Sequence, residues 1–313
     1  MSKLPRRARR ATLCGLVATG VLLGADIASA DGTRFSTYTP LAASVGPTAN
    51  EAAPITFGNP AFQQRSIADR TAQLAANKPN SGNWDMNTVN ESGKDKGRFL
   101  FTVFETGQSG VQRHDLETGT TDTIWQSPTH LGHVAFDASY WTPWGTLVTA
   151  EENWCEAPAG CTTNRYGRFF EFKNPTTAPA ITNPVSAASN AGADFVHQNV
   201  IPRVSHEGVQ FDKAGNMYVI DELNGGNIYK YTSKAEMSKV KNGRADYFAA
   251  GQTSVLRVGD GNTPNAVGAY SWVPITDADG KALPGALTIT DPNGVKSVDG
   301  RNTTNLAAFK GTD

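Results

Sequence analysis

The chain has 313 residues, with 28 Lys and Arg and 29 Asp and Glu, so its formal net charge at pH 7 is −1. Nucleic acid and anionic membranes are bound mainly by strongly basic surfaces, which a near-neutral chain does not supply. The length suffices for one large or two small domains. Glycine is abundant, with 31 residues, and no long stretch has helical periodicity.

The first 30 residues have the three parts of a secretion signal. A basic start is followed by an apolar run of about 15 residues and by a small-residue Ala-Ser-Ala motif at 28–30. The apolar run is shorter than the roughly 20 residues of a membrane helix, so a cleaved signal is favoured over a membrane anchor. The Arg9-Arg10 pair also allows twin-arginine export, which carries folded proteins. We therefore expect a secreted, periplasmic or cell-surface protein that is soluble and monomeric after cleavage.

Residues 31–95 are rich in Thr, Ser, Ala, Pro and Asn and have little periodicity. Only residues 66–76 have a pattern that can form a short helix. We expect the segment to be irregular and to wrap around a core formed by residues 96–313.

From residue 96 onward, short β-rich stretches alternate with Gly, Asn and Asp turns in three similar units, at 97–125, 133–172 and 207–231. Strands of this kind can bury one face only against a neighbouring unit, which the radial repetition of four-stranded blades provides. We therefore predict an all-β fold and a β-propeller, with a sandwich as the alternative. About three and a half units are present, whereas propellers typically have four to eight blades. The propeller domain is thus expected to be incomplete at its C-terminus, or closed by the N-terminal segment.

Acidic residues recur at one place in this repeat. Each unit ends its central strand in acid, at Glu105, at Glu151 and Glu152, and at Asp221 and Glu222. Equivalent positions in a propeller converge at one end of the channel, where clustered carboxylates repel one another unless cations neutralise them. Hard cations such as calcium prefer ligands that are all oxygen. The alternative is that these acids lie in solvated turns.

Two cysteines, Cys155 and Cys161, follow the signal. An even pair in an oxidising compartment most simply forms a disulfide, whereas the alternative of a thiolate metal site lacks further cysteine ligands. The step from His206 to Glu207 opens the third unit and is also explained by an ordinary turn. The chain contains no Gly-x-Ser-x-Gly elbow, no His-Glu-x-x-His helix and no Gly-x-x-x-x-Gly-Lys loop.

Three blocks in order, at 145–153 (GTLVTAEEN), 165–171 (RYGRFFE) and 205–212 (SHEGVQFD), resemble the PhoX family of secreted bacterial alkaline phosphatases. The resemblance extends from about residue 95 to the C-terminus. It implies a propeller with a calcium and iron (Ca²⁺ and Fe³⁺) cluster that hydrolyses phosphate monoesters and is exported by the twin-arginine route.

The resemblance also implies which residues act as metal ligands. They are Glu151, Glu152, Glu171 and Glu207 by motif, with Asp221 and Glu222 added by the repeat. Arg165 and Arg203 are the candidates for holding the phosphate group.

Two features depart from the family pattern. Ala150 stands where the family has a cysteine that bridges two irons, and the chain ends before the family's Arg-Pro-Glu-Asp block. The sequence therefore leaves two main hypotheses, a metal-dependent phosphomonoesterase and a non-catalytic exported propeller that binds calcium or a ligand. A propeller lactonase or sugar-ester hydrolase shares the fold but lacks motif support.

Overall fold

The computed structural model describes residues 40–50, 52–59, 62–128, 132–154, 166–182, 187–291 and 293–311. The chain divides into two compact units, Met1–Arg65 and Ser66–Asp313. The predicted signal at 1–30, the predicted Cys155–Cys161 disulfide and the candidate Arg165 lie outside the described residues. No helix in the described part of the chain is both long and apolar enough to cross a membrane.

In the first unit, the described residues contain turns but neither helix nor strand. Thr48 donates its backbone N–H to the carbonyl of Pro54 at 2.9 Å. The Gln64 side chain exchanges hydrogen bonds with the backbone of Ile55.

The second unit begins with a short helix and a four-stranded antiparallel sheet. Helix α1 (Arg70–Ala75) starts at Asp69, whose side chain caps it by accepting from the N–H of Ala72. The strands, in the order in which they pair, are β1 (Trp84–Val89), β2 (Phe99–Phe104), β3 (Gly110–Asp115) and β4 (Thr121–Gln126). Strand β1 lies inside the segment that was expected to be irregular, so the regular structure begins before residue 96.

A second four-stranded antiparallel sheet follows. Its strands, again in sequence order, are β5 (Phe136–Trp141), β6 (Leu147–Glu151), β7 (Phe169–Phe172) and β8 (Phe195–His197). All the residues of β6 and β7 are buried, which explains why their sequences are nearly continuous apolar runs rather than alternating ones.

The third sheet has five antiparallel strands in sequence order. They are β9 (His206–Phe211), β10 (Met217–Asp221), β11 (Ile228–Ser233), β12 (Gly251–Val258) and β13 (Tyr270–Pro274). Helix α2 (Met237–Lys241) lies between β11 and β12. A two-stranded ladder of β14 (Thr288–Thr290) and β15 (Lys296–Val298) and the helix α3 (Gly300–Thr304) complete the described chain.

The three larger sheets pack side by side through aromatic side chains. Phe101 of β2 stacks on Trp141 of β5, with 5.7 Å between ring centroids. Trp125 of β4 stacks on Phe195 of β8 at 4.1 Å. Between the second and third sheets, Tyr140 of β5 lies 5.4 Å from Phe211 of β9, again between ring centroids. Each sheet thus buries side chains against its neighbour, as expected for the repeat.

The all-β prediction is confirmed, with a few short helices added. The first strands of successive sheets also contact one another, β1 with β5 and β5 with β9. Among the described residues the sheets remain separate in their hydrogen bonding, and no closed ring is formed.

Candidate metal centre

One acidic residue occupies the second position of the first strand in each large sheet. These residues are Asp85 in β1, Asp137 in β5 and Glu207 in β9. In each case the pairing with the second strand shifts register at this point. Such a bulge re-aims a side chain out of the regular alternation of the strand. In all three sheets, therefore, an acidic residue lies at a bulge near the start of the first strand.

A second set of acids comes immediately after the second strand of each sheet. Each of these acids donates its backbone N–H to the carbonyl of the residue immediately before the first strand of its sheet. The pairs are Glu105 with Asn83 at 2.9 Å, Glu152 with Ala135 at 2.7 Å and Glu222 with Ser205 at 3.0 Å. These hydrogen bonds hold the C-terminal end of each second strand beside the N-terminal end of the first strand.

The two sets meet in one place, which we call the acidic cluster (Asp85, Glu105, Asp137, Glu152, Glu207 and Glu222). Carboxylate oxygens of Asp137, Glu152 and Glu207 lie within 4.8 Å of one another. Asp137 is buried, and its Oδ1 has no hydrogen-bond partner among the described residues. Three sheets thus direct carboxylates at a common point.

Burial and like charge both perturb the cluster. The pKa of Asp137 is raised to about 9, first by burial and then by the carboxylates of Glu207 and Asp85. The pKa of Glu152 is likewise raised to about 9 by burial and by Glu222 and Glu105. Carboxylates that cannot all ionise together must hold protons or share a cation.

The chemistry of the donors fits a hard cation. Every side chain in the acidic cluster offers oxygen, which calcium prefers and takes in numbers of six to eight. Thiolate and imidazole, which favour softer metals, are absent from the six residues. Ala150, one position before Glu151, is completely buried in β6 and supplies no donor.

Two predicted ligands lie outside the cluster, although each is adjacent in sequence to a member of it. Glu151 is completely buried and pairs with Arg168, whose Nη2 and Nε donate to it at 2.5 and 2.9 Å. Asp221 pairs with Arg301, whose Nη1 lies 2.7 Å from both carboxylate oxygens. Burial raises the pKa of both acids, and the arginines oppose that effect.

Glu171 is also outside the cluster. It lies buried in β7, where Trp144 Nε1 and Thr146 Oγ1 each donate to it at 2.8 Å and Gln198 Nε2 donates at 2.9 Å. The structure therefore brings together Glu152, Glu207 and Glu222 of the six predicted ligands. Glu151, Glu171 and Asp221 are held by other protein groups.

Arg203, a candidate for binding phosphate, is completely buried. Its Nη2 lies 3.5 Å from Oδ2 of Asp291, and its backbone bridges to Asp299. The side chain is enclosed by protein rather than presented to solvent.

Sequence reasoning missed Asp85 and Asp137 and used Glu105 only as a repeat marker. The pattern that could have found them is a ring-bearing residue followed by an acid at the start of each first strand, Trp84-Asp85, Phe136-Asp137 and His206-Glu207. It is visible only when β1 is recognised as a strand.

Comparison with known proteins gave two matches. The family model described as alkaline phosphatase PhoX matches residues 120–311. The solved structure of Pseudomonas fluorescens PhoX in complex with vanadate, a transition state analogue, is similar at 15% sequence identity and a TM-score of 0.42. That similarity covers 62% of this chain and 49% of the other, so the chain spans about half the length of that protein. No curated protein matches the chain.

Proposed function

This chain belongs to the alkaline phosphatase PhoX family, and on that premise we propose that it is an exported phosphatase that hydrolyses phosphate monoesters at a calcium site. The observation that carries the proposal is the acidic cluster, in which three carboxylates from two neighbouring sheets lie within 4.8 Å of one another. Asp137, Glu152 and Glu207 would hold the first cation, and Asp85, Glu105 and Glu222 surround them.

Calcium held by these residues would supply positive charge that attracts the phosphoryl oxygens and lowers the pKa of a water molecule. The protein's own carboxylates explain why a cation is needed. A phosphate ester is an anion, and six clustered carboxylates repel an anion at any pH at which they are ionised. The acidic cluster can therefore accept this substrate only when bound cations offset its negative charge.

The carboxylates in this proposal act as ligands and not as proton shuttles. Asp137 is only 2% exposed, and its Oδ1 has no hydrogen-bond partner among the described residues. A buried oxygen without a partner is what we expect of a metal ligand. Iron(III) is the second metal we consider. Ala150 excludes a bridging thiolate at its position, so any iron here would have oxygen ligands.

The fold that we propose for the complete site is a β-propeller. Support comes from the three meandering sheets in sequence order and from the contacts of β1 with β5 and β5 with β9. In a propeller the first strand of each blade lies nearest the channel and touches the first strand of the next blade. The acids of these strands would then line one channel mouth.

Export and phosphate binding add two narrower proposals. We propose that the segment at 1–30 directs twin-arginine export, and that replacing both Arg9 and Arg10 with Lys abolishes export of the full chain. Undiminished export would refute that route. We also propose that Arg165 binds the phosphate, in which case R165M raises KM for a phosphate ester more than R165K does.

The function is tested by hydrolysis of p-nitrophenyl phosphate by purified full-length chain, with elemental analysis of the same sample. We expect turnover with calcium, loss of turnover in EGTA and recovery when calcium is restored. Equal rates with and without EGTA would refute the calcium mechanism.

Absence of turnover in a calcium-loaded sample would refute the enzyme and favour a second function, a non-catalytic calcium-binding propeller. The observation that favours this alternative is Ala150 in place of the family's cysteine. Calcium without iron in an active sample would establish a site that works without a thiolate-bridged iron pair.

A further inference from the structure

Two arginines from distant parts of the chain bind carboxylates at equivalent points of two sheets. Arg168 binds Glu151, the last residue of β6, and Arg301 of α3 binds Asp221, the last residue of β10. Arg168 uses Nη2 and Nε, one on each oxygen of Glu151, at 2.5 and 2.9 Å. Arg301 uses Nη1 alone, at 2.7 Å from both oxygens of Asp221. In each case the next residue along the chain belongs to the acidic cluster.

Each carboxylate in these pairs also accepts a backbone N–H from the segment that enters the first strand. Val134 N donates to Glu151 at 3.2 Å, and Ser205 N donates to Asp221 at 3.2 Å. The two segments lead directly into the strands that carry Asp137 and Glu207. The paired carboxylate therefore connects the end of the second strand to the segment that leads into the first strand of the same sheet.

Both arginines also donate hydrogen bonds to nearby backbone carbonyls. Arg168 Nη2 donates to the carbonyl of Gly132 at 3.1 Å. Arg301 Nη2 donates to the carbonyl of Asn224 at 2.9 Å, in the turn that follows Glu222. Arg168 thus also binds the segment that leads into β5, and Arg301 also binds the turn that carries Glu222.

In the first sheet, an asparagine rather than an arginine connects the corresponding strand ends. The residue equivalent to Glu151 is Phe104, which is completely buried. Asn83 takes over the polar role, because its Nδ2 donates to both the carbonyl and the carboxylate of Glu105 at 2.8 Å. Two different solutions, an arginine in the second and third sheets and an asparagine in the first, thus hold the chain at the residue of the acidic cluster that follows the second strand.

We propose that Arg168 and Arg301 are positioning residues that hold Glu152 and Glu222 at the acidic cluster, and this rests on the calcium site of the proposed function. Six carboxylates repel one another when no cation is bound, and that repulsion acts to spread the turns that carry them. Each guanidinium binds a carboxylate and a nearby backbone carbonyl at the same time, and the single ammonium group of lysine does not reproduce that rigid set of donors.

Stability alone does not account for these pairs. Buried ion pairs carry a large desolvation cost, and replacement of both partners by apolar residues is often neutral or stabilising. Glu151 is completely buried and Arg168 nearly so. A pair retained only for stability would therefore be replaceable by packing, whereas a positioning pair would not.

The test uses the full chain and measures calcium affinity by calorimetry, together with the melting temperature in EGTA. R301M should raise the calcium Kd by about tenfold or more, the usual effect of losing a group that orients a metal ligand, and R301K should raise it less. The matched control is R98M, which breaks the two-point contact of Arg98 with Asp115 (2.6 and 3.1 Å) away from the cluster. Its calcium Kd should equal that of the wild type.

R168M alone leaves Glu151 buried without its partner, so the decisive variant is R168M/E151M, which fills the same space with apolar groups. We expect it to fold with a melting temperature in EGTA near that of the wild type and to bind calcium at least about tenfold more weakly. Wild-type calcium affinity in R168M/E151M and R301M would overturn the positioning role while leaving the proposed function intact. A wild-type chain that binds no calcium would overturn both.

Discussion

Glu151 and Glu152 are neighbours in the sequence, yet their carboxylates have entirely different partners. Glu151 is completely buried and accepts both donors of the Arg168 guanidinium, at 2.5 and 2.9 Å. Glu152 has an oxygen within 4.8 Å of Asp137 and Glu207 in the acidic cluster. Adjacent residues of a strand point to opposite faces, so a doubled acid cannot present both carboxylates to one ion from a regular strand. Of the two adjacent acids, Glu151 therefore pairs with an arginine and Glu152 belongs to the acidic cluster.

Replacing Asp137 by Asn should weaken calcium binding without weakening the fold. The change removes a charge from a cluster in which burial and the neighbouring carboxylates already raise the pKa of Asp137 to about 9. We expect the calcium Kd to rise by at least about tenfold, since even outer-shell partners of a metal contribute that much. The melting temperature in EGTA should stay level or rise, because the amide needs no proton in order to lie beside the neighbouring carboxylates.

The control for that measurement is E117Q, which removes an exposed carboxylate outside the cluster. It should leave calcium affinity unchanged. A D137N variant that binds calcium as the wild type does would remove Asp137 from the site.

The repeat made much of this architecture predictable. Alternation in β2, where Phe99, Phe101 and Val103 are buried, is the period of a half-buried strand. The acids at the ends of β2, β6 and β10 are in equivalent places, as the repeat indicated. Fold class and the end of the sheets at which acids gather therefore followed from local patterns.

The rest depended on contacts that sequence patterns do not contain. Strand β1 is polar and half-exposed, so it lacks the apolar run by which strands are recognised. The bulges at Asp85, Asp137 and Glu207 break the two-residue period on which such recognition depends. The division of roles between Asp221 and Glu222 is set by Arg301, 80 residues away in the chain.

Stability of the metal-free protein should fall as pH rises. The pKa values of Asp137 and Glu152 are raised to about 9 in the folded protein, against roughly 4 in an unfolded chain. Between those values the folded state retains protons that the unfolded state has released, so rising pH favours unfolding. Below pH of about 4 both states are protonated and the effect disappears.

Thermal melts at pH 5 and pH 8, with EGTA or with calcium, measure this effect. Calcium should raise the melting temperature more at pH 8 than at pH 5, because it replaces protons that the cluster otherwise needs. D137N serves as the comparison, since the pH dependence in EGTA should be shallower in that variant. A metal-free wild type with equal or greater stability at pH 8 and the same slope in D137N would contradict the charge repulsion.

The contact between the first two sheets should depend strongly on Phe101. This side chain is completely buried and stacks on Trp141 of the next sheet. F101A should lower the free energy of unfolding by about 3–5 kcal/mol, the usual range for a buried phenylalanine, as measured by urea denaturation. L100A, in the neighbouring half-buried position of the same strand, should cost only about 1 kcal/mol. Equal effects of the two changes would show that the sheets do not pack through this face.

The turn after Glu222 should tolerate no side chain at Gly226. A Cβ there would lie 2.1 Å from the carbonyl oxygen of Asp221 and 2.6 Å from that of Leu223. Both neighbours are backbone, so relief requires the turn itself to move. Because Glu222 lies within this turn, G226A should both lower the melting temperature and raise the calcium Kd.

G107A is the matched control, because Gly107 lies in the corresponding turn after Glu105 and a Cβ there meets nothing within 4 Å. We expect both the melting temperature and the calcium Kd of G107A to stay near the wild-type values. A G226A variant that loses stability but binds calcium normally would mean that Glu222 contributes charge to the acidic cluster without ligating the ion. Loss of affinity in G226A alone would instead make the geometry of this turn a determinant of the site, because the two variants add the same methyl group at corresponding turns and differ in the space available to it.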